Sequence, residues 1–240
     1  MAASGSVLFL IGAAAAAGAL YLFWRYVWFF RNPRRVVPPG DGLLSPADGR
    51  VVYVREVGPG EPVVSVKKGL AATLHDLVRE HVEAPRLVIG VFMSPFDVHY
   101  NRAPLSGAVG YVRHYPGRGP NLHMGAMHWR LLLRRPPYHR GSEHIVANER
   151  TVTRIDGELG GTPLSCYVVQ IAARTVAGID SYVPPGGRVE RGAIFGMIRI
   201  GSQVDLVIPL RPDLRARVRP GERVRAGETV LVERIAARPA

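Results

Sequence analysis

The first thirty residues carry one long apolar run. Every residue from Val7 to Trp24 is apolar or small, and Arg25 interrupts the run before a second apolar stretch, Tyr26–Phe30. Eighteen residues at a rise of ~1.5 Å reach about 27 Å, close to the thickness of the hydrocarbon core of a bilayer. The pattern predicts a helix that spans a membrane, so residues 1–31 are interpreted as a transmembrane anchor.

The charges that flank this run predict its orientation. No Lys or Arg precedes the run, whereas four arginines follow it, together with the aromatic side chains of an interfacial belt. A secretory signal peptide carries its positive charge before the apolar run instead. The positive-inside rule places residues 31–240 on the cytoplasmic side of the cell membrane. The rival interpretation is a buried helix or hairpin in a soluble protein.

Period-two alternation and short Val-rich runs dominate the rest of the chain, after a Pro-rich linker at Asn32–Gly42. Leu70–Val82 has apolar residues at helical spacing, which predicts a short amphipathic helix or lid near the membrane. Residues 113–147 show no period and are predicted to be irregular. The predicted strands are Arg50–Val57, Arg86–Met93, Leu105–Val112, Val152–Ile155 and Ser165–Ile171.

The stretch Val218–Val232 pairs Gly turns with short Val-rich strands. This pattern is similar to that of the hybrid barrels of lipoyl and biotinyl carrier domains, although no Lys stands at the hairpin position that carries the cofactor in those domains. With 27 Gly and 20 Pro in the chain, a β-rich body with many turns is expected. The predicted fold class is therefore α+β, mainly β, with a hybrid-barrel-like domain over residues 32–240.

The net charge indicates which class of partner the chain binds, and the cysteine content limits the disulfides and metal sites that it can form. The net charge of +12 favours an anionic partner, and no zinc-finger spacing, RRM-like motif or long basic helix points to nucleic acid. An anionic phospholipid membrane is the better candidate because of the apolar N-terminus. The single cysteine, Cys166, excludes an internal disulfide or a Cys-cluster metal site and is predicted to be a buried apolar residue.

Three segments carry the candidate chemistry: Ser45–Val51 (SPADGRV), Phe92–Gly107 (FMSPFDVHYNRAPLSG) and Phe195–Asp205 (FGMIRIGSQVD). In this order they resemble the signature segments of the phosphatidylserine decarboxylases, in particular the short bacterial and archaeal members. Asn148–Arg150 is similar to a further recurring piece of those members. The resemblance covers roughly residues 30–210, and the order of the segments is more specific than any one of them.

The resemblance implies a self-cleaving proenzyme. Cleavage between Gly201 and Ser202 would give a large chain, 1–201, and a small chain, 202–240, which together form a heterodimer; whether that heterodimer oligomerises further is left open. Ser202 would become a covalent pyruvoyl group, a pyruvic acid residue that forms a Schiff base with the substrate and acts as an electron sink. Conversion of phosphatidylserine to phosphatidylethanolamine in phospholipid biosynthesis is the implied activity, and an archaetidylserine-type substrate is the alternative.

The same residues fit that chemistry when read on their own. Gly201 gives conformational freedom and access to its carbonyl, and the hydroxyl of Ser202 can attack it. A histidine oriented by a carboxylate suits both the attack and the later elimination, and His99 and Asp48 are the candidates. No metal is expected in this chemistry.

Two positions depart from the better-known family pattern. Longer relatives carry a second His three positions after the first, where this chain has Arg102, and the family's Gly-Ser-Thr is Gly-Ser-Gln here, with Gln203. Arginine stays protonated near pH 7 and cannot act as a base. We therefore expect His99 to serve both cleavage and decarboxylation, and Arg102 to bind a phosphate or carboxylate of the substrate.

Other basic residues are candidates for contact with lipid head groups rather than for a metal site, because the histidines lack ligand spacing. A non-enzymatic membrane-anchored barrel adaptor is one rival function, but it predicts a coiled-coil hairpin that the chain lacks. A Ser-His-Asp hydrolase is another, but it predicts a Gly-x-Ser-x-Gly elbow that is absent. The basic residues proposed to bind lipid phosphate are Arg113, Arg118, Arg134 and Arg135. The histidines that lack the spacing of metal ligands are His114, His123, His128, His139 and His144.

Overall fold

The computed structural model describes residues 2–174, 178–199 and 201–235, with side chains from Gly5 onward. Two compact units make up the chain, Met1–Pro33 and Arg34–Ala240. The helices are α1 (Ala2–Phe23), α2 (Leu74–Val78), α3 (Gly125–Leu132) and α4 (His144–Ala147). The strands are β1 (Gly42–Leu44), β2 (Gly49–Val57), β3 (Val64–Lys67), β4 (Leu70–Ala72), β5 (Arg86–Met93), β6 (Tyr100–Arg102), β7 (Gly107–Tyr115), β8 (Arg150–Leu159), β9 (Thr162–Ala172), β10 (Ile179–Ser181), β11 (Arg188–Val189), β12 (Ile194–Ile198), β13 (Ser202–Pro209), β14 (Leu214–Ala216), β15 (Arg223–Val224) and β16 (Val230–Arg234).

The N-terminal unit is a single apolar helix. α1 continues into a π-helical turn at Trp24–Trp28, and an 18-residue window within the 24-residue span Gly5–Trp28 has a mean hydropathy of 2.1. At ~1.5 Å per residue this span reaches about 36 Å, longer than the ~30 Å hydrocarbon core of a bilayer. The predicted helix is confirmed, and it is long and apolar enough to cross a membrane.

The second unit is built on an eight-stranded antiparallel sheet with the order β11-β7-β8-β9-β13-β5-β2-β15, which curls into a half-barrel. Side chains alternate between its two faces, so along β5 Ile89 and Val91 enter one hydrophobic core while Val88 and Phe92 enter the other. The small sheets β1-β16-β14 and β10-β12-β6 contribute to the first core. The β3-β4 hairpin and the helices α2, α3 and α4 contribute to the second.

The predicted strands agree with β2, β5, β7, β8 and β9, and the α+β, mainly β class is confirmed. The closer analogy with the hybrid barrels of carrier domains stays a prediction. Two predicted segments differ from the structure. Leu70–Val82 was expected to form an amphipathic helix or lid near the membrane. It forms β4 and the five-residue α2 instead.

The cause lies in local signals within that segment. Thr73 caps α2 through a reciprocal pair of hydrogen bonds with Asp76, and Arg79 in the left-handed conformation ends the helix one turn later. The apolar side chains Leu77 and Val78 are buried in the second core. The prediction of a membrane-facing lid there is therefore wrong.

Residues 113–147 are more regular than predicted. β7 runs on to Tyr115, and two short helices follow. Met127 and Leu131, one helical turn apart on α3, anchor it in the second core, and Ile145 does the same for α4. Tertiary burial selects these helices, because neither is long enough to be stable alone.

Candidate active site around Gly201 and Ser202

The three sequence segments meet at one place through backbone hydrogen bonds. The carbonyl of Pro46 accepts the N–H of Arg102 at 3.0 Å and the side-chain amide of Asn101 at 3.2 Å, which joins the first segment to the second. The N–H of Ile198 donates to the carbonyl of His99 at 3.2 Å, which joins the second to the third. Ile200 of the third segment lies outside the described residues.

Gly49 explains why the first segment needs its Asp-Gly pair. A Cβ at this position would lie 2.0 Å from the carbonyl oxygen of Phe92, and the backbone has a φ of +152°. Only glycine allows β2 to lie so close to β5 there. The residue before it, Asp48, is thereby fixed next to the second segment.

The bond predicted to be cut lies at the start of β13. Gly201 has a φ of +56°, in the left-handed region that favours glycine, and its carbonyl accepts the N–H of Ala173 at 3.3 Å. Ser202 is fully buried between Met93 of β5 and Ala172 of β9. Its Oγ contacts the sulfur of Met93 at 3.2 Å. The N–H of Ala173 is thus a ready donor to a negative charge that develops on the Gly201 oxygen.

His99 contacts Gly201 at its backbone N–H, on the peptide unit directly before the bond predicted to be cut. Its ring is fully buried, Nδ1 lies 2.9 Å from the carbonyl oxygen of Asp97, and the N–H of Gly201 donates to Nε2 at 3.3 Å. A carbonyl can only accept, so this network assigns the proton to Nδ1. The lone pair of Nε2 is then directed at the Gly201-Ser202 segment, as a general base requires.

Asn148 holds the donor strand in place. Its buried side-chain amide donates to the carbonyls of Ala172 and Leu122, at 2.7 and 2.9 Å, and accepts the N–H of Leu122 at 2.8 Å. The carbonyl of Glu149 accepts the N–H of Ala172 as well. The Asn148–Arg150 piece therefore fixes the backbone directly before Ala173.

Asp48 forms an ion pair that the sequence analysis did not anticipate. Its carboxylate accepts the guanidinium of Arg35 at 2.8 Å and the backbone N–H of Ala226 at 2.7 Å, and Arg35 also pairs with Glu228 at 3.1 Å. The Arg35 side chain is buried although it comes from the Pro-rich linker. The group that meets Nδ1 of His99 is the Asp97 carbonyl, and the catalytic role of Asp48 stays a prediction.

Arg102 lies beside this ion pair. Its guanidinium donates to the carbonyl of Gly192 at 2.8 Å and is half-buried. Burial and the neighbouring charge of Arg35 lower its pKa, while Asp48 and Glu228 raise it. It stays cationic near neutral pH, so substrate binding by Arg102 stays a prediction that this position allows.

The opposite face of β13 carries a buried polar network that sequence reasoning missed. The amide of Gln203 donates to Tyr53 and Asp205, both at 2.8 Å, and Tyr53 donates to Asp205 at 2.9 Å. His144 Nε2 lies 3.1 Å from the Gln203 carbonyl oxygen. Burial raises the pKa of Asp205 to about 7 and lowers that of His144 to about 4.

The sequence contains one signal for this network, which is the alternation of side chains between the two faces of β13. Ser202 and Val204 point to one face, so Gln203 and Asp205 point to the other, into an otherwise apolar core. Two polar residues at buried positions of a strand require partners elsewhere in the chain. Which partners they find depends on the tertiary structure.

The remaining candidates lie in different surroundings. Arg113 pairs with Glu80 and Arg118 with Asp76, whereas Arg134 and Arg135 are exposed after α3. Cys166 is fully buried, which confirms its prediction, and burial raises the pKa of its thiol. Within the described residues no three His, Cys, Asp or Glu side chains group as a metal site would need.

A cavity of about 230 Å³ opens beside the predicted cleavage bond. It is lined in part by Gly201, Ala173, Phe96, Met124 and His128. A second cavity, of about 250 Å³, shares Phe92, Phe96 and His128 with the first, and Arg50 and Arg223 line it too. The wall is apolar next to Gly201. Farther along it carries two arginines and one carboxylate, Asp97, which pairs with Arg223 at 3.4 Å, so the second cavity is basic on balance.

Comparison with known proteins identifies the class to which this chain belongs, the carboxy-lyases. The sequence model of the family described as Phosphatidylserine decarboxylase matches residues 22–232. The chain belongs to the phosphatidylserine decarboxylase family. The predicted resemblance and the prediction of a carboxy-lyase are thereby confirmed, and the adaptor and hydrolase interpretations are set aside.

Individual relatives are similar over almost the whole chain. A phosphatidylserine decarboxylase proenzyme of Symbiobacterium thermophilum is 34% identical over 224 residues, which cover 92% of this chain and 82% of the relative. One from Saccharopolyspora erythraea is 34% identical over 94% of this chain and 85% of its own length. A Methanocaldococcus jannaschii protein, named provisionally as an archaetidylserine decarboxylase proenzyme, is 35% identical over 91% of this chain and 93% of its own.

Proposed function

We propose that the chain is a membrane-anchored proenzyme that cuts itself between Gly201 and Ser202 and then decarboxylates a serine phospholipid. One observation carries the proposal: His99 and Ala173 both contact Gly201, since Nε2 of His99 accepts the Gly201 N–H and the Ala173 N–H donates to the Gly201 carbonyl. The relatives' names, which include the word proenzyme, support processing.

Cleavage follows from the chain's own groups. Nε2 of His99 takes the proton of the Ser202 hydroxyl, and Oγ attacks the carbonyl carbon of Gly201 while Ala173 N–H stabilises the oxyanion. The C–N bond breaks and an ester forms. Loss of the α-proton of Ser202 then expels the carboxylate of Gly201 and leaves dehydroalanine. Addition of water and loss of ammonia give the pyruvoyl end of the small chain, 202–240.

The residues present fit such a group. Position 202 is buried, its neighbours Met93 and Ala172 are not ionisable, and the adjacent cavity gives an amine access to it from the side of Gly201. When present, the pyruvoyl group supplies an electron sink for loss of carbon dioxide from the serine head group. His99 is the proposed proton donor to the α-carbon, and Arg102 the proposed anion-binding group.

The substrate is proposed to be phosphatidylserine, with phosphatidylethanolamine as the product of phospholipid biosynthesis. An archaetidylserine-type substrate is the second candidate, because an archaeal relative is as similar as the bacterial ones. The head group is the same in both, so the reaction is unchanged. The N-terminal helix is the proposed anchor, with the catalytic unit on the cytoplasmic side.

Mass spectrometry of the purified chain tests the proposal. The expected result is two fragments joined non-covalently, a large chain that ends at Gly201 and a 39-residue small chain with a blocked N-terminus; that length follows from residues 202–240. Ser202→Ala should leave one uncut chain without activity, and Ser202→Thr should cut slowly. A single 26.2 kDa species in preparations that release carbon dioxide would contradict the pyruvoyl mechanism.

A further inference from the structure

α3 presents large apolar side chains on its outer side although its inner side is already buried. Met127 and Leu131 fill the second core, while Trp129 and Leu132 are 60% and 61% exposed. Leu133, directly after the helix, is 54% exposed. A helix that is apolar on both sides at the surface of a soluble domain marks a site of contact with a membrane or another protein.

The turn between β5 and β6 adds to the same patch. Phe96 is 66% exposed and lines both cavities, and Leu132 and His128 of α3 line the basic one. Phe96 therefore lines the cavity beside Gly201, and it lines the neighbouring cavity together with Leu132. We call Phe96, Trp129, Leu132 and Leu133 the α3 surface.

Charge decides between a membrane and a protein partner. The 28 residues from Tyr115 to Ser142 contain five arginines and no Asp or Glu. Among them Arg134 and Arg135 are exposed directly after the apolar residues. Outside this segment, Arg50 and Arg223 line the basic cavity, where Arg223 pairs with Asp97 at 3.4 Å. Exposed apolar side chains followed by exposed arginines are the pattern of elements that lie in the interface of a bilayer with anionic lipids.

We propose that the α3 surface inserts into the head-group region of a bilayer that contains anionic lipid, and so delivers the substrate from the membrane to the cavity beside Gly201. The delivery step rests on the proposed function, whereas the insertion does not. The apolar side chains would replace water by acyl chains, and the arginines would pair with lipid phosphates. A lipid could then pass its serine head group along the basic cavity without leaving the membrane surface.

A depth measurement tests the insertion in the full chain. The chain has three tryptophans, so replacing Trp24→Phe and Trp28→Phe leaves Trp129 as the only reporter. In vesicles of phosphatidylcholine and phosphatidylglycerol, lipids brominated on the acyl chains should quench its fluorescence. Absence of quenching, with Trp129 accessible to a water-soluble quencher or covered by a second copy of the chain, would overturn the proposal.

A second tryptophan reporter, placed at Tyr182 on the other side of the sheet, controls for quenching by random collisions between the protein and the vesicles. Tyr182 is 49% exposed and follows β10, which adjoins the first core, whereas α3 adjoins the second. In a chain with all three tryptophans replaced, Tyr182→Trp should not be quenched by the same lipids. Equal quenching of both reporters would mean that the insertion is not specific to the α3 surface, and would contradict the proposal.

Activity tests the delivery. Trp129→Ser and Leu133→Ser together should lower kcat/KM for phosphatidylserine in vesicles by about tenfold, since each loses apolar contact with the bilayer. Self-cleavage and kcat/KM for a short-chain, monomeric serine phospholipid should stay within about twofold, as no step of the chemistry uses these side chains. Tyr182→Ser is the control and should leave all three readouts unchanged.

The outcomes separate this proposal from the proposed function. Equal loss on both substrates, or no loss on vesicles, overturns the delivery role. If the wild-type chain neither cuts itself nor turns over the short-chain substrate, the proposed function fails, and the depth of Trp129 still decides the insertion. If the double variant Trp129→Ser, Leu133→Ser fails to fold and cut, the Trp129 reporter again decides, because it keeps the α3 surface intact.

Discussion

At the scale of single residues, His99 combines a fixed tautomer with a position against the scissile segment. Its Nδ1 is occupied by the Asp97 carbonyl, which leaves Nε2 as the only ring nitrogen that can take a proton from Ser202. The position where longer relatives carry a second His holds Arg102, which cannot share that role.

Replacing His99 and Arg102 one at a time distinguishes a role in self-cleavage from a role in decarboxylation. His99→Ala should slow self-cleavage by about 10²-fold or more, the usual contribution of a general base, and abolish carbon dioxide release from the fraction that does cut. Arg102→Ala should cut normally and mainly raise KM. Fragment yields on denaturing gels and carbon dioxide per mole of small chain are the measurements. His81→Ala, at an exposed histidine that does not line the cavity beside Gly201, is the control.

The opposite results are informative in the same assays. Normal cutting by His99→Ala with loss of turnover alone would mean that another group is the base for cleavage. His144 is a weak substitute in that case, because burial holds its pKa at about 4 and Gln203 occupies its Nε2. Failure of Arg102→Ala to cut would give Arg102 a structural role through Gly192.

Asp205 makes stability depend on pH. Its folded pKa of about 7 exceeds the value near 3.9 expected in the unfolded chain, because it is buried. Between these values the unfolded chain releases the proton while the folded chain keeps it, so this carboxyl lowers the free energy of unfolding as pH rises. Above about pH 7 both states are ionised and the effect is constant.

Asp205→Asn keeps a neutral polar group and should remove this dependence. The free energy of unfolding of the variant relative to its parent should increase by about 2–3 kcal/mol from pH 5 to pH 8. Urea unfolding of uncut Ser202→Ala protein at the two pH values measures it. A difference that does not change with pH would mean that Asp205 is already ionised in the fold, stabilised by the nearby charge of Arg150.

At the scale of elements, the site depends on how β9 and β13 are held together. β13 lies between β5 and β9, so Ser202 meets both neighbours at the point where the ladder begins. The residue after β9, Ala173, supplies the N–H for the Gly201 carbonyl. Asn148, at the start of β8, holds the end of β9 and the chain at Leu122 together. The donor is therefore positioned by a side chain that touches neither reacting atom.

Asn148→Ala tests that dependence. The variant leaves the carbonyls of Ala172 and Leu122 without their buried donor, at a cost of about 1–3 kcal/mol each, and the Ala173 N–H loses its alignment. Self-cleavage should slow on the order of tenfold, because one oxyanion donor is affected. A time course of fragment formation measures it. Asn121→Ala is the matched control, since Asn121 only accepts the N–H of Glu149, and equal rates in the two variants would contradict the role of Asn148.

At the scale of the whole molecule, an apolar helix is joined to a strongly basic β-rich unit. The two units are compact by themselves, with the division after Pro33. The net charge of +12 is spread over the second unit as well as the linker. Two independent contributions to membrane binding follow, one from apolar length and one from charge.

Deleting residues 1–33 separates the contribution of the apolar helix from that of the charged second unit. The remaining unit should be purified without detergent, and it should still bind vesicles that contain anionic lipid through its arginines and the α3 surface. Sedimentation with vesicles at increasing salt should show partial release, since exposed charges are screened within ~8 Å at physiological ionic strength while apolar contacts are not. Complete release by salt would contradict an inserted apolar contribution, and neutral vesicles serve as the control.

The sequence by itself determined the elements whose signals are local. The apolar run of α1, the alternation of β2, β5 and β9, and the order of the three signature segments are all contained in neighbouring residues. They were enough to predict the class, the family and the Gly201-Ser202 bond as the place of chemistry. Cys166 was predicted to be buried because it stands in an apolar run.

The tertiary structure decided what depends on contacts between distant residues. Nothing near Asp48 in the sequence shows that Arg35 and Ala226 would occupy its carboxylate, or that a backbone carbonyl would orient His99. The apolar residues that give Leu70–Val82 its helical spacing pack in the core, whereas α3 buries Met127 and Leu131 but leaves Trp129 and Leu132 exposed. Spacing records which residues share a face, but only packing determines whether that face is covered.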